Sequence, residues 1–294
     1  MKKIETIAVH SGRFHADDVF AVAILKLIYP NLKVIRTRNE QILSQVDARV
    51  DVGMKYNPET NDFDHHQSGG AGKRKNGIPY ASVGLIWKHF GEILANQREV
   101  WEDIDERIIQ YIDLDDTGID TYTAKETIPY TIADFIHGLN PHWPQKSEAL
   151  YDENFEKAVS MILISLQQEI MFTKGKVKAR EIIQEMIKKS NKEYLLLEED
   201  IPWKEVVIKK SKLKYVIIPN ETKSLWSILA VPISEDTFEN RQDLPKAWAG
   251  LTGKELQLVT GVKDAEFCHN KLFIAVAKSK EGAIKLAELA LKKD

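Results

Sequence analysis

Four stretches of the 294-residue chain carry hard oxygen and imidazole donors of the kind that build a metal centre. They are His10 with His15, Asp17 and Asp18; Asp51; Asp64-His65-His66; and Asp113 with Asp115 and Asp116. Within one turn of chain, a carboxylate beside two imidazoles offers a metal ligand, a partner that orients it and a phosphate contact. Carboxylates with a few histidines and no thiolate suit Mn2+ or Mg2+ better than structural zinc. The donors suffice for two ions. Such a pair, roughly 3.5–4 Å apart and bridged by a carboxylate, generates hydroxide and clamps an in-line attack on phosphorus. Each stretch taken singly has a plainer reading. Asp17 and Asp18 suit a helix start, Asp51-Val-Gly53 a strand exit, and 113–116 an acidic helix end.

What decides between these readings is where the surrounding elements put the donors. Residues 4–9 read as a largely apolar strand ending at His10. A helix opens at His15 and runs to about Tyr29, with two aspartates in its first turn and apolar residues nearly all round. A strand over 33–36, a short helix over 40–44 and a strand over 48–52 follow. Alternation at this spacing predicts a parallel sheet with helices on its faces, whose site lies beyond the carboxyl ends of the strands. His10 and Asp51 then meet on one rim. Helices are expected over 82–94, 101–114 and 131–138. A long helix from about 151 to 189, broken or bent near Gly175, reads as a connector. Beyond it come short strands over 194–197, 206–209, 215–218, 225–231 and 273–277, with helices over 254–259 and 282–291. The fold class is therefore α/β, with a metal-binding domain over 1–190, connector included, and a smaller C-terminal α/β domain over 191–294.

Bulk properties narrow the function classes. Hydrophobic residues make up 43% of the chain and charged ones 29%, enough for large cores. One cysteine, Cys268, excludes an internal disulfide and a cysteine-rich zinc site, and suggests a reducing, cytoplasmic setting. The N-terminus runs directly into a strand, which leaves no room for a leader peptide, and no apolar run suffices for a membrane span. A net charge of −3 gives no global basic field, so a phosphate-rich substrate has to be gripped locally. Candidates for that grip are Arg13, Arg38 and the cations Lys73, Arg74 and Lys75 on the glycine-rich loop 68–77, acting as a mobile clamp. Trp143, Trp203 and Trp248 are read as packing residues ahead of base-stacking ones.

The order of these motifs resembles the DHH superfamily of phosphoesterases. It is more closely similar to the Myg family, the melanocyte proliferating gene proteins. The resembling stretches are His10-Ser-Gly-Arg-Phe-His-Ala-Asp-Asp18, Ile35-Arg-Thr-Arg38, Val50-Asp-Val-Gly53, Phe63-Asp-His-His-Gln67, Leu139-Asn-Pro-His-Trp143, Pro202-Trp-Lys204 and Leu244-Pro-Lys-Ala-Trp-Ala-Gly-Leu251. The resemblance implies that His10, His15 and Asp51 hold one metal. It implies that Asp17, Asp51, His65 and a late aspartate, Asp116 or else Asp113, hold a second. His66 would face the substrate phosphate and Asp64 would orient His65. Two departures stand out. His15 occupies a place where the superfamily carries Asp, and 267–277 lacks the paired glycines with which relatives close over substrate. The implied activity is 3′→5′ exonucleolytic hydrolysis of RNA or single-stranded nucleic acid, with the active cleft between the two lobes and Mn2+ ahead of Mg2+ as cofactor. A small-molecule phosphoesterase and a metal-stabilised, non-catalytic binding protein are the alternatives. No membrane partner is implied, and a homodimer is left open.

Overall fold

The computed structural model describes residues 3–123 and 126–292, and its chain forms two compact units that meet at Lys174 and Gly175. The architecture is α/β in both.

In the first unit a five-stranded sheet has the order β2-β1-β3-β5-β4. Its strands are β1 (Thr6–Val9), β2 (Lys33–Arg36), β3 (Ala48–Val50), β4 (Tyr56–Asn57) and β5 (Asp62–Phe63). β1 pairs in parallel with β2 and β3, β3 pairs in parallel with β5, and only β4 runs against its neighbour. Helix α1 (Ala16–Ile28) makes the crossover from β1 to β2. Its stretch from Val19 to Leu25 is buried, as an apolar helix facing both a sheet and another helix must be. A short helix α2 (Glu40–Leu43) leads into β3, and α3 (Ser82–Ala95) packs along α1. The expected helix over 101–114 starts earlier and is compound. It runs as α4 (Arg98–Ile104), a π turn (Asp105–Ile109) and α5 (Gln110–Asp116). Helix α6 (Ile132–Gly138) opens with the capping box of Thr131 and Asp134.

Helix α7 (Glu148–Lys189) is uninterrupted, so the expected break at Gly175 is absent. A single glycine weakens a helix by only about 1 kcal/mol, too little to break one of this length.

The second unit has a sheet of order β6-β7-β8-β10-β9, built from β6 (Tyr194–Leu196), β7 (Tyr215–Pro219), β8 (Trp226–Ala230), β9 (Ala265–Cys268) and β10 (Ile274–Ala277). Alternate residues feed two cores. Tyr215 and Ile217 pack with Trp226, Ile228 and Trp248 on one face, where α9 (Gly253–Thr260) and α10 (Lys280–Leu291) lie. Val216 packs with Leu195, Leu197 and Trp203 on the other. The expected strand over 206–209 is a helix, α8 (Lys204–Lys210). β6 and β7 are parallel neighbours, so the chain between them must cross over one face, and a strand there would leave no connection. Among the described residues, no helix is long and apolar enough to cross a membrane.

Candidate metal centre

Three neighbouring parallel strands end at one rim, and the residue after each is a site residue. His10 follows β1, Asp51 follows β3 and Asp64 follows β5. His15, Asp17 and Asp18 come from the turn and first turn of α1, and Asp116 closes α5. Distant stretches thereby converge. Among the described residues, three sets of side chains could each hold a cation: His10, His15 and Asp51; Asp51, His65 and His66; and Asp17, His65 and Asp116. Asp51 and His65 each belong to two sets. Asp51 sits in the left-handed region at φ 56°, an arrangement that costs energy for a residue with a Cβ and is retained where surroundings enforce it.

The distances describe a tight cage. His10 Nε2 is 3.2 Å from Asp18 Oδ2 and 3.3 Å from Asp51 Oδ2. Its Nδ1 lies 3.2 Å from the Ser11 carbonyl oxygen, which fits an Nδ1–H donor and leaves Nε2 to face a cation. His65 Nε2 lies 3.0 Å from Asp116, 3.5 Å from Asp51 and 3.8 Å from Asp17. It is buried and aimed among these oxygens without a well-directed hydrogen bond, and Asp18 Oδ2 is likewise buried and unpartnered. Orphaned buried donors and acceptors are costly. A divalent ion held by either of the sets that include His65 would meet its Nε2, so the residues present fit such a group.

Second contacts hold the cage in place. The start of α3 is capped from outside. Asp17 accepts from the Ser82 and Val83 N–H groups, and Ser82 Oγ donates to Asp51 Oδ1 at 3.1 Å. Asn140 clamps the turn before His15, accepting from the Phe14 N–H at 3.0 Å and donating to the Phe14 carbonyl at 2.9 Å. Ser82 and Asn140 were not among the site residues expected from sequence. A Ser opening an apolar helix and an Asn before Pro carry no chemical signature on their own.

Electrostatics point the same way. Burial pushes Asp18 up to about 7. Burial, then the charges of Asp51 and Asp116, push Asp17 well above the usual carboxylate range. Asp51 is held low, because the imidazoles of His10 and His65 close beside it outweigh its burial. Burial opposes protonation of His65, but the carboxylates of Asp116, Asp51 and Asp17 around it raise it to about 11. Burial lowers His15. The pocket thus crowds carboxylates closely enough that Asp17 and Asp18 resist ionisation.

Several expectations need correction. Asp116 belongs to a metal-competent set, whereas Asp113 is consumed elsewhere. It accepts from the Ala81 and Gly84 N–H groups and pairs with Arg74. Arg74 is therefore no phosphate clamp. Its guanidinium is buried, grips Asp105 at 2.8 and 3.0 Å as well as Asp113, and stacks on Tyr80. Buried carboxylates need a counter-charge, and the arginine supplies it. Asp64 meets His66, not His65, accepting from its backbone N–H at 3.0 Å and lying 2.8 Å from its Nδ1. That leaves His66, with half its side chain exposed, turned to solvent 3.4 Å from Asp51. Arg13, Arg38, Lys73 and Lys75 are exposed. Trp203 and Trp248 pack in the second unit's cores, but Trp143 is 84% exposed.

The family model described as "Uncharacterised protein family (UPF0160)", MYG1_exonuc, matches residues 6–291. The chain belongs to this family. It is 31% identical to the MYG1 protein of Dictyostelium discoideum over 96% of this chain and 95% of that protein. It is 28% identical to the mouse MYG1 exonuclease, covering 97% of this chain and 84% of the relative. The Saccharomyces cerevisiae MYG1 protein YER156C is 28% identical across 99% of this chain and 96% of its own length. Family membership and a cage of acidic and imidazole groups together support a nuclease or phosphoesterase.

Proposed function

We propose that the protein is a divalent-metal-dependent phosphodiester hydrolase acting as a 3′→5′ exonuclease on RNA or single-stranded nucleic acid. The observation that carries this reading is the shared carboxylate: Asp51 belongs both to a set with His10 and His15 and to one with His65. His10, His15 and Asp51 would hold one ion, and Asp17, Asp51, His65 and Asp116 a second, with Mn2+ preferred by the donor set. When bound, the ions supply charge neutralisation at phosphorus and a more acidic water. The chain's own residues do the rest. His66, turned outward and hydrogen-bonded to Asp64, faces the substrate phosphate, while Ser82 and Asn140 hold Asp51 and the His15 turn in register. The name of the mouse relative supports the exonuclease assignment.

The test combines metal titration with turnover. Calorimetry should find two Mn2+ per chain, and end-labelled single strands should shorten stepwise from the 3′ end only when Mn2+ or Mg2+ is present. Cleavage confined to pyrophosphate or dinucleotides would reassign the substrate. No hydrolysis with metal bound would make this a binding protein.

A further inference from the structure

On the first unit, basic side chains away from the rim are mostly neutralised. Lys26 pairs with Glu156, Arg98 with Glu102 and Arg107 with Asp103. Lys88, exposed on α3, has no carboxylate partner among the described residues and is held by aromatic groups instead. Its ammonium lies 5.6 Å from the Tyr56 ring centroid and 5.0 Å from that of Tyr80, and donates to the Tyr56 hydroxyl at 3.3 Å. Tyr56 lies 2.8 Å from His89 Nε2. With Lys88 donating to it, the hydroxyl is oriented to donate onward to a neutral His89. The His89 ring then rests 5.5 Å from Phe63. A cation fixed between two tyrosines but left without a counter-ion is a prepared anion contact.

Short stretches of chain tie its braces to the cage. Phe63 precedes Asp64. Tyr56 is two residues from Met54, whose N–H bonds Asp64 at 2.6 Å. Tyr80 is two residues from Ser82, whose hydroxyl meets Asp51. Both tyrosines therefore stand on chain segments that adjoin residues in contact with Asp64 and Asp51. We propose that Lys88, braced by Tyr56 and Tyr80, is a second phosphate subsite beside the metal cage. It makes the substrate a strand with consecutive phosphates rather than a lone phosphoester. This rests on the phosphodiester-hydrolase reading.

The experiment compares Lys88→Gln and Tyr56→Phe with the unsubstituted protein, all Mn2+-loaded. The readout is the ratio of kcat/KM for a single-stranded pentanucleotide to that for a dinucleoside monophosphate. Lys88→Gln should lower the ratio about tenfold, mainly through KM for the pentanucleotide, and reduce the log–log salt slope of pentanucleotide binding by about one. Tyr56→Phe, which keeps the ring and removes the hydroxyl, should lower it by a smaller factor. An unchanged ratio and slope in Lys88→Gln overturns the subsite. If the unsubstituted protein cleaves neither substrate, the hydrolase reading fails, and fluorescence anisotropy with the pentanucleotide still decides Lys88 by the same slope.

Discussion

Two clusters of buried aspartates lie a few residues apart in the first unit, and they have opposite chemistry. In one, Asp105 and Asp113 are answered by the Arg74 guanidinium and by two backbone N–H groups. In the other, Asp17, Asp18 and Asp51 are no less buried, yet they meet imidazoles, backbone N–H groups and the Ser82 hydroxyl, and Asp18 Oδ2 and His65 Nε2 have no hydrogen bond. Asp113 and Asp116 sit on the same helix, one turn apart, and belong to different clusters. The difference separates a knot that closes the fold from a cage whose donors could hold a cation. Residue type does not distinguish them; the presence of a fixed counter-charge does.

The largest effect should come from breaking the cage at its shared ligand. Asp51→Asn keeps shape, and asparagine tolerates the left-handed backbone as well as aspartate does. Hydrolysis should fall by roughly a thousandfold or more, with Mn2+ uptake reduced and the far-UV circular dichroism unchanged. Retained activity in that variant would remove Asp51 from the chemistry.

Breaking the knot should do the reverse. Arg74→Met leaves Asp105 and Asp113 buried without their cation, at a cost of about 3–5 kcal/mol. For a unit of this size that is a fall in Tm on the order of 10 °C. Gly84→Ala should act similarly, because a Cβ there would stand 2.1 Å from Asp113 Oδ2. Thermal melts of the two variants check both. A Tm near that of the unsubstituted protein would show that the knot is dispensable.

How much of this contrast could be read from the chain alone varies with the element. The β1–α1–β2 crossover was legible because α1 is apolar on every side and its flanks punctuate it cleanly. The rim followed from that, since a parallel sheet fixes where His10 and Asp51 must emerge. The two-residue strands β4 and β5 are too short to leave a periodic pattern, and α8 has the β-branched run of a strand until the parallel pairing around it is known. The fates of Arg74 and Asp113 are invisible locally. A cation on a glycine-rich loop reads as mobile until a buried carboxylate from 39 residues away claims it. The convergence of candidate donors at strand ends was legible, and long-range partners were not.

Acidity sharpens the comparison. In chelated protein, Asp17 and Asp18 have folded pKa values above their unfolded ones, with Asp18 at about 7. A raised carboxylate binds more protons folded than unfolded, so stability should fall as pH climbs from about 4 to 7. Asp113, pushed up to about 7 by burial against the pull of Arg74, adds the same sign. His65, raised to about 11, extends the loss above pH 6.5. Mn2+ separates the clusters, because it can relieve only the cage. Metal should restore stability most at the alkaline end, and its binding should release protons, measured by calorimetry in buffers of different ionisation enthalpy. A melting curve whose pH dependence ignores Mn2+ would mean that no ion sits among these groups.

The smallest effect concerns the tie between the cage and the rest of the unit. Asn140 both accepts from and donates to the backbone of Phe14, the residue before His15. Asn140→Asp keeps the size and the acceptor but cannot donate to the Phe14 carbonyl when ionised, so one buried oxygen is left unmet. That should cost about 1–3 kcal/mol of stability and, if the turn carries His15, roughly tenfold in Mn2+ affinity at the site shared with His10. The two readouts are independent. A lowered Tm with unchanged Mn2+ affinity would place Asn140 with the knot as a structural tie, and a loss in both places it with the cage.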